Sequence, residues 1–326
     1  MNEIYPLKFK PVFKEKIWGG KKINEILKQD FSPLPNCGEL WAISGLNDES
    51  SIVANGFLEG NALNELIEVY MGDLVGDAVY EKFGDEFPLL FKFINSEEYL
   101  SVQVHPGDDL AMKRHQSLGK TEMWYVIAAD QNAELISGFN KKLDTNVYLK
   151  ALQNNSLKDI LKIHKVQAGD VFYIPAGNVH AIGPGILLAE IQQASDVTYR
   201  IFDWNRFDHS GMTRELHTDL ALDAINFDEQ LQTKSQPVIT KNKVVTLQKS
   251  EYFTVNLLDL DKRVERDFFE VDSFVAYMCV EGAFTLSFSG NVEKILTGET
   301  VLVPATIKEF EIIPNDSCKI IETYIV

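Results

Sequence analysis

The sequence predicts a mainly β protein built from two β-barrels, with a few short helices inserted in its N-terminal part. Short stretches such as 252–257 and 284–288 alternate between apolar and polar residues, as strands with one buried face do. A segment that runs from glycine to proline at 169–175 is repeated with the same spacing at 298–304, which indicates two similar barrels. Helical periodicity occurs mainly in two stretches, at about 61–83 and 144–163.

Composition limits the classes of protein and partner. The chain has 326 residues, 45% of them hydrophobic, and a formal net charge of -17. This length and content allow a large buried core, whereas the acidic charge disfavours nucleic acid and anionic membranes as partners. The sequence has no apolar run of about 18 residues and no signal-peptide pattern at its start, so it predicts a cytoplasmic protein. Cys37, Cys279 and Cys318 lack paired spacing, which argues against disulfides and against a cysteine zinc site.

The first part of the chain is expected to place strands on both sides of a helical insertion. Residues 7–13 alternate as a first strand, and 38–44 and 51–56 are predicted to form a hairpin. Apolar residues at helical spacing within 61–83 predict one or two short helices. These elements would form one wall of the first barrel.

The middle of the chain continues with strands. Residues 87–94 form an apolar run typical of a strand buried on both faces, and Lys92 within it is expected to face either a pocket or solvent. Further strands are predicted over 123–127, 133–139, 166–174, 186–193 and 197–202. Helical stretches are predicted over 110–116 and over 144–163, the second with a break at the asparagines near 154.

Four side chains in this middle part are expected to converge on one metal ion. Gln103 and His105 share a face of a predicted strand, because successive side chains alternate. Glu122 precedes one strand and His180 follows another, so a barrel interior would bring the four together. Two imidazoles, a carboxylate and an amide oxygen suit Zn²⁺ or another first-row divalent ion, and the set lacks the thiolates of closed structural zinc sites. The sequence therefore predicts a catalytic metal with open positions, although each histidine taken alone fits a hydrogen-bonded core residue equally well.

The segment before His180 carries a specific motif. Gly169, Pro175, Gly177 and His180 reproduce the pattern Gly-x5-Pro-x-Gly-x2-His, the second metal motif of cupin barrels. The chain is therefore expected to contain two jelly-roll barrels of the cupin type.

The resemblance is closer still when the other motifs are included. Gln-x-His at 103–105, Gly-Lys-Thr-Glu-Met-Trp-Tyr at 119–125 and Ala-Ser-Asp-Val-Thr-Tyr-Arg at 194–200 follow one another as in the type I mannose-6-phosphate isomerases. The chain resembles the short bacterial form of that family from about residue 16 to residue 200, with a weaker β-rich tail beyond.

This resemblance implies an aldose-ketose isomerase that interconverts mannose 6-phosphate and fructose 6-phosphate through an enediol, with one Zn²⁺ per chain. A small phosphorylated hexose would be the substrate. The resemblance implies that Arg200 stabilises the enediolate, that the carboxylate of Glu190 transfers the proton, and that Lys120 acts in catalysis or binds phosphate. It also implies that Ser101, Asp196 and Trp18 contact the sugar or its phosphate.

Some of these roles stay open at this point. Glu190 is preferred over Asp196 as the proton-transfer base, and Asp196 could instead orient the strand of Arg200. Trp18 could lie near the sugar or cover the core. Family members often carry a tyrosine at the position of Ile182, and a lysine beyond the arginine has no obvious match, so Arg206 is considered as its replacement.

A boundary between the barrels is expected in the polar segment 228–242. The predicted domains are a catalytic domain, 1–235, and a C-terminal barrel, 236–326. In the repeat, Glu309 stands at the position of His180, and the tail has no histidine. The second barrel is therefore expected to lack a metal site.

Two other classes of function remain compatible with the motifs. The sequence is compatible with a monomer and with a homodimer. An iron or manganese dioxygenase is one alternative, but such cupins usually have a His-x-His strand, and Gln103 replaces the first histidine. A non-catalytic sugar-binding cupin is the other. It would give Arg200, Lys120 and Glu190 no reason to converge.

Overall fold

The computed structural model describes residues 3–46, 49–207, 211–227 and 232–325. It confirms a mainly β protein with short helices. The strands are β1 (Leu7–Lys8), β2 (Val12–Lys14), β3 (Glu39–Ser44), β4 (Leu89–Ser96), β5 (Val102–Val104), β6 (Glu122–Ala129), β7 (Glu134–Phe139), β8 (Leu161–Lys165), β9 (Val171–Ile174), β10 (His180–Ile182), β11 (Ile186–Gln193), β12 (Tyr199–Phe202), β13 (Lys234–Ser235), β14 (Val244–Lys249), β15 (Thr254–Leu260), β16 (Val264–Asp267), β17 (Val275–Phe288), β18 (Asn291–Leu296), β19 (Thr300–Val303) and β20 (Glu309–Tyr324). The helices are α1 (Lys22–Glu25), α2 (Leu63–Tyr70), α3 (Gly72–Val75), α4 (Asp77–Phe83), α5 (Asp108–His115), α6 (Thr145–Gln153) and α7 (Thr218–Ala224).

Two antiparallel sheets form the N-terminal barrel. One has seven strands in the order β13-β9-β6-β11-β4-β3-β2, and the other has five in the order β12-β5-β10-β7-β8. Their inner faces share a core of buried residues that includes Trp124 and Leu188 from the larger sheet and Leu135 and Ile182 from the smaller one. The barrel interior therefore lies between β5 and β10 on one side and β4, β6 and β11 on the other.

The helical insertion at 61–83 is confirmed, as the three helices α2, α3 and α4. Leu66 and Ile67 bury the apolar face of α2 in the main core. The insertion also contacts the C-terminal sheet, because the backbone N–H of Phe274 donates to the carbonyl of Val75 and that of Ala305 to the carbonyl of Leu74. No helix in the described ranges is long and apolar enough to cross a membrane.

The helical stretch predicted at 144–163 is confirmed up to its predicted break at the asparagines near 154, but it is wrong from residue 161 onward. The helix ends at Gln153, a short 3-10 helix covers Leu157–Ile160, and the following residues form β8. Asn155 has a φ of 53°, a left-handed conformation that interrupts the helix. Beyond it, β8 pairs with β7, so tertiary hydrogen bonding overrides the helical spacing.

The predicted hairpin between 38–44 and 51–56 is also wrong. The first strand exists as β3, but its neighbours are β2 and β4. In the second stretch, Ile52 and Val53 make only isolated bridges, to Ala62 and Phe9. The chain turns away after one bridge at each of these residues, so no ladder develops.

The single strand predicted at 7–13 is two strands in different sheets. Pro11 lies between them and has no N–H to donate to a ladder. β2 pairs with β3 in the N-terminal barrel, whereas β1 pairs with β19, with Leu7 opposite Leu302. The division at residues 235 and 236 stays a prediction, and β1 crosses it; residues 228–231 of the boundary segment lie outside the described part.

The C-terminal sheet has eight strands and a core of its own. Its interior contains the buried carboxylate of Glu322, which accepts hydrogen bonds from Arg266 (2.9 and 2.8 Å), Tyr277 (2.7 Å) and Asn256 (2.9 Å). These partners compensate the desolvation of a fully buried charge. An internal ion pair thus occupies the interior of the second barrel.

Replacing Arg266 with methionine should destabilise the protein by about 3 kcal/mol, because it leaves the Glu322 charge buried without its cation. Urea denaturation would measure this loss. Arg263→Met is the matched control. The exposed Arg263 pairs with Glu311 at 3.1 Å, and such surface pairs contribute less than about 1 kcal/mol. Equal losses for the two variants would contradict a stabilising role for the buried pair.

Candidate metal centre and substrate cavity

Three buried side chains meet at one end of the N-terminal barrel interior. His105 directly follows β5, Glu122 begins β6 and His180 begins β10. One ligand atom of each lies within 4.8 Å of the others. Gln103, in the middle of β5, is the register partner of His180, and its Nε2 lies 3.2 Å from the Nε2 of His180. The structure thus brings together all four residues that the sequence singled out as metal ligands.

Both histidines are oriented through the ring nitrogen that faces away from this cluster. The Nδ1 of His105 is 3.0 Å from the carbonyl oxygen of Val197, and the Nδ1 of His180 is 2.8 Å from that of Asn178. A carbonyl oxygen can only accept, so each Nδ1 carries the proton and donates. Each Nε2 therefore presents a lone pair to the cluster, the arrangement that metal-binding histidines commonly show.

Gly177 links the His180 loop to His105. Its φ is 84°, in the left-handed region that favours glycine. In this conformation its backbone N–H donates to the carbonyl of His105 at 2.9 Å. A side chain at this position would also meet the carbonyl of Ala224 at 3.0 Å. The motif glycine therefore helps to set the distance between the two histidine segments.

The electrostatics of the cluster suit a metal ion. Burial lowers the pKa of His105 to about 3 and also lowers the pKa of His180, so both imidazoles are neutral at physiological pH. Burial alone would raise the pKa of Glu122, but the ammonium of Lys120 holds it well below its usual value. Neutral imidazoles and an ionised carboxylate are the protonation states that metal binding requires.

Two buried polar atoms of the cluster lack a hydrogen-bond partner among the described residues: Nε2 of His105 and Oε2 of Glu122. Unpaired buried atoms are costly unless another group satisfies them. The 3.1 Å approach of His105 Nε2 to Glu122 Oε1 would also be unfavourable between two lone pairs without a cation nearby. A divalent metal ion would resolve both problems. Rotating the Gln103 amide would present its oxygen as a further ligand.

A cavity of about 240 Å³ opens next to this cluster. Its lining includes two of the four predicted metal ligands, Gln103 and Glu122. It also includes the six residues that the family resemblance matched to catalytic or substrate-binding positions: Trp18, Ser101, Lys120, Glu190, Asp196 and Arg200. Their convergence supports one shared site, while their individual roles stay predictions.

Glu190 lies in a buried polar group on the larger sheet. Its carboxylate accepts a hydrogen bond from Nε1 of Trp124 at 2.8 Å and lies 3.3 Å from Nζ of Lys92. Lys92 also donates to Gln192 at 2.7 Å, and it lines the cavity, so the solvent-facing alternative for this lysine is wrong. Burial, reinforced by the charge of Glu122, raises the pKa of Glu190 to about 7 despite the opposing lysine. Such a carboxyl can exchange protons near neutral pH.

Lys120 lies beside the cluster of His105, Glu122 and His180. Its buried Nζ lies 3.1 Å from Oε1 of Glu122. Ser101 is buried and directly precedes β5, whereas Asp196 is exposed at the rim of the cavity. Trp18 is buried and also lines the cavity, so it both covers the core and borders the site.

Arg200 lies on β12 directly opposite Gln103 in the register of β5. Its Nη1 donates to the carbonyl of Glu215 at 2.9 Å, while its buried Nε has no partner in the described part of the chain. The structure does not support Arg206 as a replacement for the missing lysine, because Arg206 binds Asp203 and is absent from the cavity lining.

Several polar or aromatic residues that line the cavity were not predicted from the sequence, among them Lys16, Glu39, Trp41 and Arg214. Glu39 accepts a hydrogen bond from Trp41 at 2.7 Å and lies 3.1 Å from the ammonium of Lys16. Burial would raise its pKa, but Lys92 and Lys16 outweigh that effect and lower it to about 2. The strand pattern could have revealed Glu39 and Trp41, which share one face of β3. Arg214 lies in a loop where no local pattern marks it.

Comparisons with known proteins agree with this geometry. Residues 6–135 match the family described as phosphomannose isomerase type I, catalytic domain, and 243–325 match the mannose-6-phosphate isomerase cupin domain. The mannose-6-phosphate isomerase ManA of Bacillus subtilis is 36% identical over 94% of this chain and 95% of its own. A mannose-6-phosphate isomerase of Streptococcus mutans is 33% identical over 94% of both chains. The crystal structure of a Bacillus subtilis mannose 6-phosphate isomerase superposes with a TM-score of 0.85 and 32% identity over 99% of this chain and 100% of that one.

Proposed function

This chain belongs to the type I mannose-6-phosphate isomerase family, and on that premise we propose that it interconverts mannose 6-phosphate and fructose 6-phosphate through an enediol with the aid of zinc. One observation carries the proposal. The buried cluster of His105, Glu122 and His180 borders a cavity that also contains a partly buried arginine and a carboxyl whose pKa is near neutral. The isomerisation needs these same components.

Gln103, His105, Glu122 and His180 would hold one Zn²⁺, since oxygen and imidazole ligands suit this ion. When bound, the ion would act as a Lewis acid that stabilises negative charge on the substrate oxygens at C1 and C2. The amide of Gln103 also disfavours the dioxygenase alternative, because an amide oxygen is a weak ligand for a redox-active ion.

Glu190 is proposed as the base that removes the proton from C2 of the open-chain aldose. The electrons of the C2–H bond form a C1–C2 double bond, and the C1 oxygen takes a proton, which gives the enediol. The hydroxyl at C2 then loses a proton to become the ketone, and Glu190 returns the carbon-bound proton to C1. Atoms and charge balance over the cycle, so no oxidant is needed.

The other residues would assist through charge and position. Arg200 would stabilise the negative charge that develops on the two oxygens, since its strand lies beside the ligand Gln103. Lys120, beside Glu122, adds positive charge to the same end of the cavity. Ser101, Asp196 and Trp18 would contact the substrate. The expected cytoplasmic location and oligomeric state are left as predictions.

A coupled assay of the purified protein tests this function. Mannose 6-phosphate should be converted by the zinc-loaded protein; activity should disappear after removal of zinc with a chelator and return when zinc is restored. The physical reason is that the enediolate would lose its nearest positive charge. Absence of turnover in the zinc-loaded protein would contradict the proposed function. Activity that survives complete zinc removal would contradict the role of the metal.

A further inference from the structure

Arg214 lies on a loop that returns to the cavity after β12. The backbone of this loop is joined to Arg200: the N–H of His217 donates to the Arg200 carbonyl at 2.7 Å, and the Arg200 N–H donates to Nδ1 of His217 at 3.1 Å. The guanidinium of Arg214 is held by Asp203, through Nε at 2.8 Å and Nη2 at 2.6 Å. Arg214 is thus a fixed cation in the cavity lining.

The register of β5 and β12 gives the cavity a direction. Gln103 pairs with Arg200, and Val102 pairs with Phe202, the last residue of β12. Ser101 precedes β5 and Asp203 follows β12, so both lie at the same end of this strand pair, away from His105. Strands rise about 3.3 Å per residue, which places Ser101 roughly 7 Å from Gln103 along the strand and on the same face. This separation allows one end of a hexose phosphate to meet the metal ligands while the other reaches Ser101.

The lysines of the cavity are engaged elsewhere. Lys120 is paired with Glu122 at 3.1 Å, and Lys92 is held by Gln192 and Glu190, so both serve the end of the cavity that contains the proposed metal ligands and the proposed base. The third lysine of the lining, Lys16, is paired with Glu39 at 3.1 Å. The Ser101 end needs a different cation if it is to receive a phosphate.

We propose that Arg214 binds the phosphate group of the substrate and so sets the preference for phosphorylated hexoses over neutral ones. This inference rests on the proposed isomerase function. A guanidinium has five N–H donors, so the two that Asp203 engages leave others for phosphate oxygens. Asp203 also binds Arg206, at 3.0 and 2.8 Å, so one buried carboxylate is shared by two guanidiniums. Arg206 lies 3.8 Å from a second carboxylate, the exposed Glu98, and the nearby guanidinium of Arg200 keeps the group positive. In a chain of net charge -17, this is a local exception suited to an anion.

The test compares two arginines that share the same carboxylate. Arg214→Gln removes the cation from the cavity, whereas the control Arg206→Gln removes the one outside it. Zinc-loaded Arg214→Gln should show a KM for mannose 6-phosphate raised roughly 10-fold to 100-fold, with kcat within about 3-fold of the parent, since a charged hydrogen bond to the distal phosphate is lost. The inhibition constant for inorganic phosphate should rise by a similar factor, and Arg206→Gln should leave both constants unchanged.

Several results would overturn the inference. Unchanged KM and phosphate inhibition in Arg214→Gln would exclude the contact, and equal changes in both variants would show that Asp203 merely shapes the loop. If Arg214→Gln does not fold, Arg214→Lys keeps the charge but loses the two-point geometry, and an unchanged KM there would likewise contradict the proposal. If the parent protein does not turn over mannose 6-phosphate, the proposed function fails. Calorimetric titration with inorganic phosphate still tests Arg214 on its own.

Discussion

Replacing Arg200 with alanine is expected to lower kcat about 1,000-fold, because the variant lacks the guanidinium that would stabilise charge on the reacting oxygens. The effect should fall on kcat more than on KM, since this charge exists mainly in the transition state. The backbone of Arg200 is held by His217 and by pairing with β5, and its guanidinium donates to the carbonyl of Glu215, which positions its charge before the substrate enters. Steady-state kinetics of the zinc-loaded variant would measure the loss.

Two controls accompany this variant. Zinc content measured by atomic absorption should equal that of the parent, because Arg200 is not among the four proposed ligands. Arg206→Ala removes an arginine of the same segment that lies outside the cavity and should retain parental kcat. A kcat of Arg200→Ala within about 3-fold of the parent would contradict the proposed role.

Glu190→Gln should reduce kcat about 100-fold to 10,000-fold, the range that a general base contributes. Glutamine can still accept the hydrogen bond from Trp124, so the change mainly removes the site that takes up the proton. Rate measurements across pH provide a second readout. Only the carboxylate can accept a proton, so the rate of the parent should fall as pH drops through the pKa of Glu190. The residual activity of Glu190→Gln should lack this decline.

The pH at which the rate of the parent falls to half follows from what raises the pKa of Glu190. Burial and the charge of Glu122 raise the pKa of Glu190 to about 7. Bound zinc would offset the charge of Glu122 and move the midpoint downward from this value. Asp196→Asn is the discriminating variant, because Asp196 is the other candidate base. Retention of the acid decline in Glu190→Gln together with its loss in Asp196→Asn would exchange the two roles.

The convergence of Gln103, His105, Glu122 and His180 could be predicted from the sequence because each belongs to a short motif whose local geometry is regular. Strand alternation fixes the relative direction of Gln103 and His105, and glycine at 177 fixes the loop before His180. Helix and strand type were also predictable wherever one periodicity dominated. At 161–165 no single periodicity dominates, and pairing with β7 makes this segment a strand.

Arg214 could not be predicted for a different reason. It reaches the cavity through contacts of its loop with Arg200 and Asp203, and these contacts leave no repeating pattern in the sequence. The partner of β1 was hidden in the same way. Alternating residues predict a strand but not its neighbour, and the neighbour of Leu7 lies about 300 residues away.

That distant pairing has a consequence for the order of assembly during synthesis. A ribosome adding about 5 to 20 residues per second needs roughly 15 to 60 seconds to travel from β1 to β19. During this time β1 has no partner strand, although Leu7 is completely buried in the finished protein. The N-terminal barrel can form its own two sheets earlier, because neither of them contains β1. This early strand is thus among the last to find its place, and its pairing adds to the contacts that α3 makes with the C-terminal sheet.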